Sequence, residues 1–566
     1  MLMTIRIGTR SSNLALWQAR SVASALKQAG IETEIVEFKS TGDRSLGGNL
    51  SSSVGQFIHT IDDGLLTGKI DIAVHSSKDV PVSMSKEIRH LAYMKRGTTS
   101  DLVLMKKKGF DSLEDILTSV ESTPLSDVLA SFGSGSTFGT VSGRRQSLLL
   151  SERPDIIPLA VRGHVETRIN RLIEGRVDAL ILAEVGIKRL NSIGALDAVK
   201  GNISAVRLDQ NDWPTAPGQG AVCIHCKAER FDEFINLRDV LNHPQTEQDI
   251  VKERAILDRI GGGCLYPAGI EVQGNLTRVK IAPKGWKTTF CEGRTYSIYS
   301  YQGDYESMMI DLPQDEDAPI RSTPIDGPKF VSTLNSDRIS NVLANNGIPM
   351  ENMSVIDLSP SLDAWPRDFL SQYTSKRDWP YLVLTSPFAA KCAIIAAESN
   401  PDIARIQWLA IGEGTARACF QRGVTVAICA KARNSKELVA YIAENIDAKT
   451  PLLIPRSNVA PNDVVHNLEK LGFSIDHWIG YENKPKSVDE APVSPDDVLL
   501  LSSSSSAISW AENGLVVPNE IICMGNNAKE TIHSLDHFHG SNVSVLKGPT
   551  TEYLMQWWKE NRGHMT

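Results

Sequence analysis

Short apolar runs alternate with stretches of helical period over the first third of the chain, which predicts α/β architecture. Ile5-Arg6-Ile7 reads as a strand and Gly8 to Ser12 as a turn. The next helix carries Ala15, Ala19, Val22 and Leu26 on one stripe and closes at Gly30. A strand follows at Ile35 to Phe38. Ser45 to Gly55 is rich in serine and glycine and predicts a mobile loop. Ile70 to His75 is a buried strand running into Ser76-Ser77-Lys78-Asp79-Val80-Pro81, the carboxyl-end position where open α/β sheets place catalytic groups. A second α/β unit spans about Leu102 to Gly194. In it Phe138 to Gln146 is a strand end opening into a helix, Val161 to Arg168 comes next, and Asp178 to Ala183 is a strand. Pro217 to Ala221 returns the chain, and a third, smaller unit follows. There Glu253 to Ile260 is the end of a helix that stops at Gly261-Gly262-Gly263 and hands over to Cys264.

The pattern breaks between Ile310 and Lys329, where acidic residues and Pro313, Pro319, Pro324 and Pro328 lack periodicity and read as a linker. Beyond it the chain repeats itself. Tyr381 to Pro387 is echoed by Val498 to Ser504, and Leu409 to Ala416 by Ile522 to Ala528. Each copy predicts strand, hydroxyl-rich turn, helix, strand, glycine-containing turn and helix, hence two similar α/β lobes with a cleft between them.

With 566 residues, about three to five domains are expected. The chain is 41% hydrophobic and 22% charged, as in soluble globular proteins. It has no apolar run of about 18 residues to span a bilayer and no apolar signal core near Met1. Eight cysteines are scattered; Cys223 and Cys226 make a lone C-x-x-C on an expected strand, which favours two buried thiols over zinc. No metal is expected. A reducing, cytoplasmic compartment follows. A net charge of −8 argues against general nucleic-acid binding, so any bound anion needs a local cluster of cations.

Such a cluster is visible. Arg10, Arg144, Arg145, Arg162 and Arg168 fall at expected turns or helix starts beside glycine, serine or threonine, and Lys78 and Arg189 follow strands. Any one of them suits a solvated surface; together they predict a polyanion cleft. Asp79 is the odd carboxylate among them, although an aspartate after a strand also suits a helix cap. Cys264, at the wrong end of a helix for a lowered thiol pKa, suits an attachment point better than a nucleophile, and a buried small hydrophobe is its plain alternative.

Residues 1 to about 310 resemble porphobilinogen deaminase (hydroxymethylbilane synthase). The matching stretches are Arg10 to Gln18, Asp71 to Pro81, Arg144-Arg145-Gln146, Arg162-Gly163, Thr167-Arg168, Gly218 to Ala221 and Gly262-Gly263-Cys264. The resemblance implies a dipyrromethane cofactor joined by a thioether to Cys264. It implies Asp79 as the catalytic carboxylate, stabilising the pyrrole cation as ammonia leaves porphobilinogen and the azafulvene forms. It assigns Lys78, Arg144, Arg145, Ser142, Thr140, Arg162, Gly163 and Ser76 to the cofactor, and Arg10, Ser12, Phe57, Arg168, Arg189 and Gln219 to substrate. There are departures. Ser52-Ser53-Val54-Gly55 stands where the family has a lysine-bearing glycine loop, Val141 and Gly143 replace a serine and a leucine, and His164 replaces an asparagine. Activity is still expected, with altered handling of cofactor or growing chain.

Residues from about Lys329 to Trp558 resemble uroporphyrinogen III synthase. The motifs are Thr385-Ser386-Pro387, Ile411 to Ala416, Ser435 to Leu438, Ile454-Pro455-Arg456, Tyr481-Glu482 and Ser502 to Ser506. The resemblance implies two lobes joined by two strands, the first lobe discontinuous, and closure of hydroxymethylbilane with inversion of the last ring. Tyr481 is the candidate for assisting loss of the hydroxyl, and Ser386, Thr415 and Ser503 for gripping carboxylates; each also suits an ordinary turn.

The expected domains are 1–99 with 200–220, 100–199, 221–310, a linker at 311–328, a synthase lobe at 329–358 with 484–566, and another at 359–483. The first two resemble periplasmic-binding-protein lobes, and the third is a small α+β domain carrying the cofactor cysteine. The expected protein is a monomeric bifunctional tetrapyrrole enzyme acting on porphobilinogen and hydroxymethylbilane, without nucleic-acid or membrane partners. Two alternatives stand beside it: an active deaminase fused to a non-catalytic scaffold, and an anion-binding solute module.

Overall fold

The computed structural model describes residues 4–38, 56–82, 84–106, 110–262, 266–312 and 327–562. Cys264, the Ser45 to Gly55 loop, the Phe57 side chain and most of the expected linker lie outside the described residues. The chain sorts into two compact units, Met1–Trp286 with Ser297–Glu316, and Lys287–Tyr296 with Asp317–Thr566.

The first unit holds three sheets. One is ordered Thr33–Phe38, Ile5–Arg10, Ile72–Ser76, Val222–Lys227, Ile88–Tyr93. Its first three strands are parallel, and Val222–Lys227 runs against both of its neighbours. Ile72 to Val74 are buried, as the near-continuous apolar run requires of a strand covered on both faces. The helix Asn13–Gln28 starts at Ser12, whose Oγ accepts from Ala15 N at 3.3 Å, and buries Ala19, Val22 and Leu26 against this sheet. Cys223 and Cys226 are both buried thiols.

The second sheet is ordered Ile157–Leu159, Thr137–Gly139, Ala179–Ala183, Asp101–Met105, Ser204–Arg207. Two sheet memberships differ from the expected boundaries. Ser204–Arg207 pairs with Asp101–Met105, and Val222–Lys227 pairs in the first sheet. Both are short apolar runs, and which edge such a run joins depends on partners far along the chain, which local pattern does not encode. The third sheet, Ala268–Gln273, Leu276–Ile281 and Tyr299–Gly303, is antiparallel. The helix Pro244–Arg259 packs on it through Ile256 and Leu257, and Gly261 follows at φ +66°.

The second unit has two sheets. Met350–Asn352, Phe330–Ser332, Val498–Leu501, Glu520–Cys523 and Asn542–Val545 are parallel throughout. The other sheet is ordered Ile356–Pro360, Ile475–Pro485, Leu452–Ser457, Tyr381–Leu384, Gln407–Ala410, Ile428–Cys429, and only its first strand is antiparallel. Ile356–Pro360 and Ile475–Pro485 carry the chain out of the first lobe and back. The repeat seen in sequence is a repeat in backbone. Ser386 caps Pro387–Ser399 as Ser503 caps Ser504–Glu512. Gly412 and Gly525, both extended, precede Glu413–Gln421 and Asn526–His533.

No helix among the described residues is long and apolar enough to cross a membrane.

Candidate active site

The strand Ile72–Ser76 ends in a single helical turn, Ser77–Asp79. Two contacts fix that turn. Ser76 Oγ accepts from Gln18 Nε2 at 2.8 Å, and Ser77 N donates to Ala221 O at 3.0 Å. The Ala221 side of this contact approaches so closely that a Cβ on Gly218 would stand 2.5 Å from Ser77 Oγ; Gly218 also has φ +75°. Only glycine fits there. A buried ion pair, Arg96 Nη1 to Glu253 Oε1 at 2.8 Å, holds the same segment. Glu253 accepts from Gly218 N at 2.6 Å, and Arg96 Nε donates to Gln219 O at 2.8 Å.

Gln219 itself is fully buried. Its Oε1 accepts from Lys78 Nζ at 3.2 Å, and its Nε2 donates to Asp101 Oδ1 at 3.0 Å and to Thr99 O. Asp101, at the head of its strand, is the hub. It also accepts from Arg144 Nη2 at 2.7 Å, Arg145 Nη2 at 2.6 Å and Trp213 Nε1 at 2.9 Å. Burial alone would raise its pKa, but Arg145 and Arg144 outweigh it and hold the carboxyl far below the usual range. Arg144 and Arg145 reach Asp101 from the first turn of Gly143–Glu152, capped by Ser142; Thr140 Oγ1 accepts from Ser142 N at 3.3 Å and braces that turn.

Several cations crowd together here among the described residues. Lys78, partly buried, has its ammonium pKa pushed down to about 8 by burial and by Arg145. Arg168 is pushed down to about 10 by burial and Arg145, then by Arg162 and Arg10, while Asp79 opposes the shift. Arg168 Nε donates to Gly163 O at 2.8 Å, and Gly163 takes φ +106°. Asp79 is exposed at the tip of the turn. It lines a cavity with Arg10, Ser12, Gln18 and Ser76, while Lys78, Ser142, Arg144 and Arg254 line a second. Arg144 Nε is buried and makes no hydrogen bond among the described residues. Crowded cations around two cavities fit a ligand with several carboxylates, as a dipyrromethane carries.

Two of the residues expected to meet substrate also make contacts inside the protein. Arg189 sits in the last turn of Glu184–Asn191, buried, donating to Gly220 O at 2.7 Å with its guanidinium 5.0 Å from the Trp17 ring centre. It braces the glycine turn. Gln219 bridges Lys78 and Asp101 from within the protein. Asp101, Arg96 and Glu253 escaped the sequence reading. The available signal was a carboxylate opening the wholly apolar run Leu102 to Met105, since a buried aspartate requires partners.

In the second unit, Tyr481 lies on Ile475–Pro485 with its hydroxyl 2.9 Å from Ser386 Oγ, and Ser386 accepts from Ala389 N at 3.0 Å. Burial raises the Tyr481 pKa. Thr415 is buried in the first turn of Glu413–Gln421. Ser503 belongs to the other lobe, in a capping box with Ser506.

Residues 5–233 match the family described as porphobilinogen deaminase, dipyromethane cofactor binding domain, and residues 337–537 match uroporphyrinogen-III synthase HemD. The porphobilinogen deaminase of Geotalea uraniireducens is 37% identical over 280 residues, 48% of this chain and 79% of that protein. That of Geobacter sulfurreducens is 37% identical over 271 residues, 47% and 76%. The solved uroporphyrinogen-III synthetase of Helicobacter pylori aligns with 42% of this chain and 100% of its own, at 16% identity and a TM-score of 0.29. With the deaminase domain in one half and the synthase domain in the other, the chain belongs to the porphobilinogen deaminase family and is a bifunctional enzyme of haem biosynthesis.

Proposed function

We propose that the first unit builds hydroxymethylbilane around Asp79, with Cys264 as the attachment point of the dipyrromethane. The observation that carries this reading is one exposed carboxylate at a strand end among Lys78, Arg145, Arg162 and Arg168. The bound cofactor supplies the free pyrrole carbon from which chain growth starts. Arg144, Arg162, Ser142 and Lys78 bind its acetate and propionate groups. Arg10, Ser12 and Arg168 orient porphobilinogen. Asp79 stabilises the positive pyrrole nitrogen as ammonia departs, then accepts a proton in each condensation. The test is the intact mass of the full chain from a host that makes porphobilinogen, beside Cys264→Ser. A gain of one dipyrromethane in the parent and none in the variant is expected; an unmodified parent overturns the reading.

The second unit closes the linear product. Tyr481 assists departure of the hydroxyl, and Ser386, Thr415 and Ser503 receive carboxylates at helix N-termini. Holding the substrate in shape supplies much of the rate. Fusion raises the effective concentration of the synthase and shortens exposure of a substrate that otherwise closes to the wrong isomer. Equal isomer ratios from fused and separated, diluted halves would remove that advantage. The Tyr481–Ser386 contact at the helix terminus favours a catalytic domain over a scaffold. The protein works as a cytoplasmic monomer.

A further inference from the structure

Behind the Ser77–Asp79 turn, the first sheet buries a group of side chains that the tetrapyrrole chemistry does not use. His75 on Ile72–Ser76 and His225 on Val222–Lys227 sit on adjacent strands with ring centres 5.1 Å apart, and both are buried. His90 on Ile88–Tyr93 lies on the far side of His225. Asp62, from the helix Gln56–Leu66, brings its Oδ1 to 3.3 Å from His75 Nε2. That separation is not a hydrogen bond. His75 Nε2, Asp62 Oδ1 and His225 Nδ1 are all buried, and none has a hydrogen-bond partner among the described residues. Buried polar atoms are nearly always satisfied, so three such atoms on residues that bring ligand atoms within 4.8 Å of one another require an account.

We propose that Asp62, His75 and His225 form a binding site for one zinc ion, which ties the helix Gln56–Leu66 to the sheet behind the Asp79 turn. One ligand atom from each of the three residues lies within 4.8 Å of the others. Zinc–nitrogen and zinc–oxygen distances of about 2.0–2.2 Å place tetrahedral ligands about 3.3 Å apart. Asp62 and His75 already stand at that separation, and the His225 ring has to close the remainder. Two imidazoles and one carboxylate suit zinc, whereas calcium and magnesium prefer oxygen ligands throughout. Burial, then the neighbouring His75 and His90, holds the His225 pKa well below its ordinary value, so the imidazole is in its neutral, ligating form at neutral pH. The fourth position is left for water. The ion is structural. His75 immediately precedes Ser76 and lines the same cavity as Asp79, so the ion braces the wall of that cavity from behind. Positions 62, 75 and 225 match no ligand spacing along the chain, which is why no metal was expected from sequence.

The test uses the full chain, stripped with a chelator and titrated with zinc and with Co2+. Metal content by mass spectrometry, Tm and the Co2+ spectrum are read for the parent, His225→Ala and Asp62→Asn. The expected result is about one ion per parent chain, a Tm raised by zinc, and tetrahedral Co2+ bands without a thiolate charge-transfer band. Each variant should bind more than tenfold more weakly, with a Tm that zinc leaves unchanged. Asp62 is partly exposed, so Asp62→Asn decides the matter if His225→Ala does not fold. No stoichiometric binding by the parent, equal binding by the folded variants, or a thiolate band would each overturn the proposal.

Discussion

Lys78 Nζ and Asp101 are joined through one side chain: Gln219 accepts from the ammonium at 3.2 Å and donates to the carboxylate at 3.0 Å. The lysine at the ligand cavity and the two arginines on Asp101 therefore belong to one buried network, in which a change at any member reaches the others.

Asp101→Asn should be the most damaging single change in that network. It leaves Arg144 and Arg145 buried without their counter-charge, at a cost of about 3–5 kcal/mol at neutral pH. The folded pKa lies below the ordinary 3.8. The stabilisation is therefore complete above that value and fades as pH falls toward the folded one. Urea denaturation should show a wide gap between parent and variant at pH 7 that narrows below about pH 3.8. A gap independent of pH would mean the carboxylate charge is not what stabilises the fold.

Lys78 has a depressed pKa, about 8 against an ordinary 10.5. Between those values the unfolded chain holds a proton that the folded chain has lost, so stability from this group rises with pH there. Anion binding changes the opposite way, since the ammonium discharges above pH 8. Since Lys78 holds the carboxylates of the cofactor, the half-time for loading the dipyrromethane onto the apo-chain should climb several-fold across pH 8 in the parent and stay flat in Lys78→Arg, whose guanidinium keeps its charge. A parallel rise in both would assign the inflection to another group.

Asp79→Asn should lower deaminase kcat by about 10²–10⁴-fold, the range of a lost acid–base group. The residue is exposed but faces Lys78 and Arg168, so unfolding free energy should fall by no more than about 1 kcal/mol. Retained turnover in a folded, cofactor-loaded variant would remove Asp79 from the chemistry.

Tyr481→Phe and Ser386→Ala separate chemistry from capping. Ser386→Ala loses the N-cap of Pro387–Ser399 and should cost about 1 kcal/mol of stability. Tyr481→Phe keeps the cap, and is expected to slow ring closure at least tenfold and raise the fraction of the uninverted isomer, read by chromatography of the oxidised porphyrins. An unchanged isomer ratio would show that the hydroxyl only satisfies Ser386.

Local signals were legible where local physics decides. The stripe Ala19, Val22, Leu26 and the cap at Ser12 make a helix in any context, and the paired turns at Ser386 and Ser503 reveal a duplicated backbone without knowledge of either lobe. Lys78 and Asp79 were placed at a strand end because an apolar run stopped there. The arginines were recognised as a group, yet what each one touches was not visible. Arg189 braces Gly220, and Arg144 and Arg145 are bound to a carboxylate more than forty positions upstream.

The sequence alone thus determined the element types, the two-part organisation and a group of cationic residues at turns and helix starts, because those follow from side-chain chemistry and short-range periodicity. Tertiary structure alone decided which strands share a sheet, that Asp101 neutralises the arginine pair, that Gln219 is an internal bridge, and that Asp62, His75 and His225 converge. Each of these depends on strand pairing between distant segments, and the free energy of a buried charge or an orphaned nitrogen is set by what lies across that pairing.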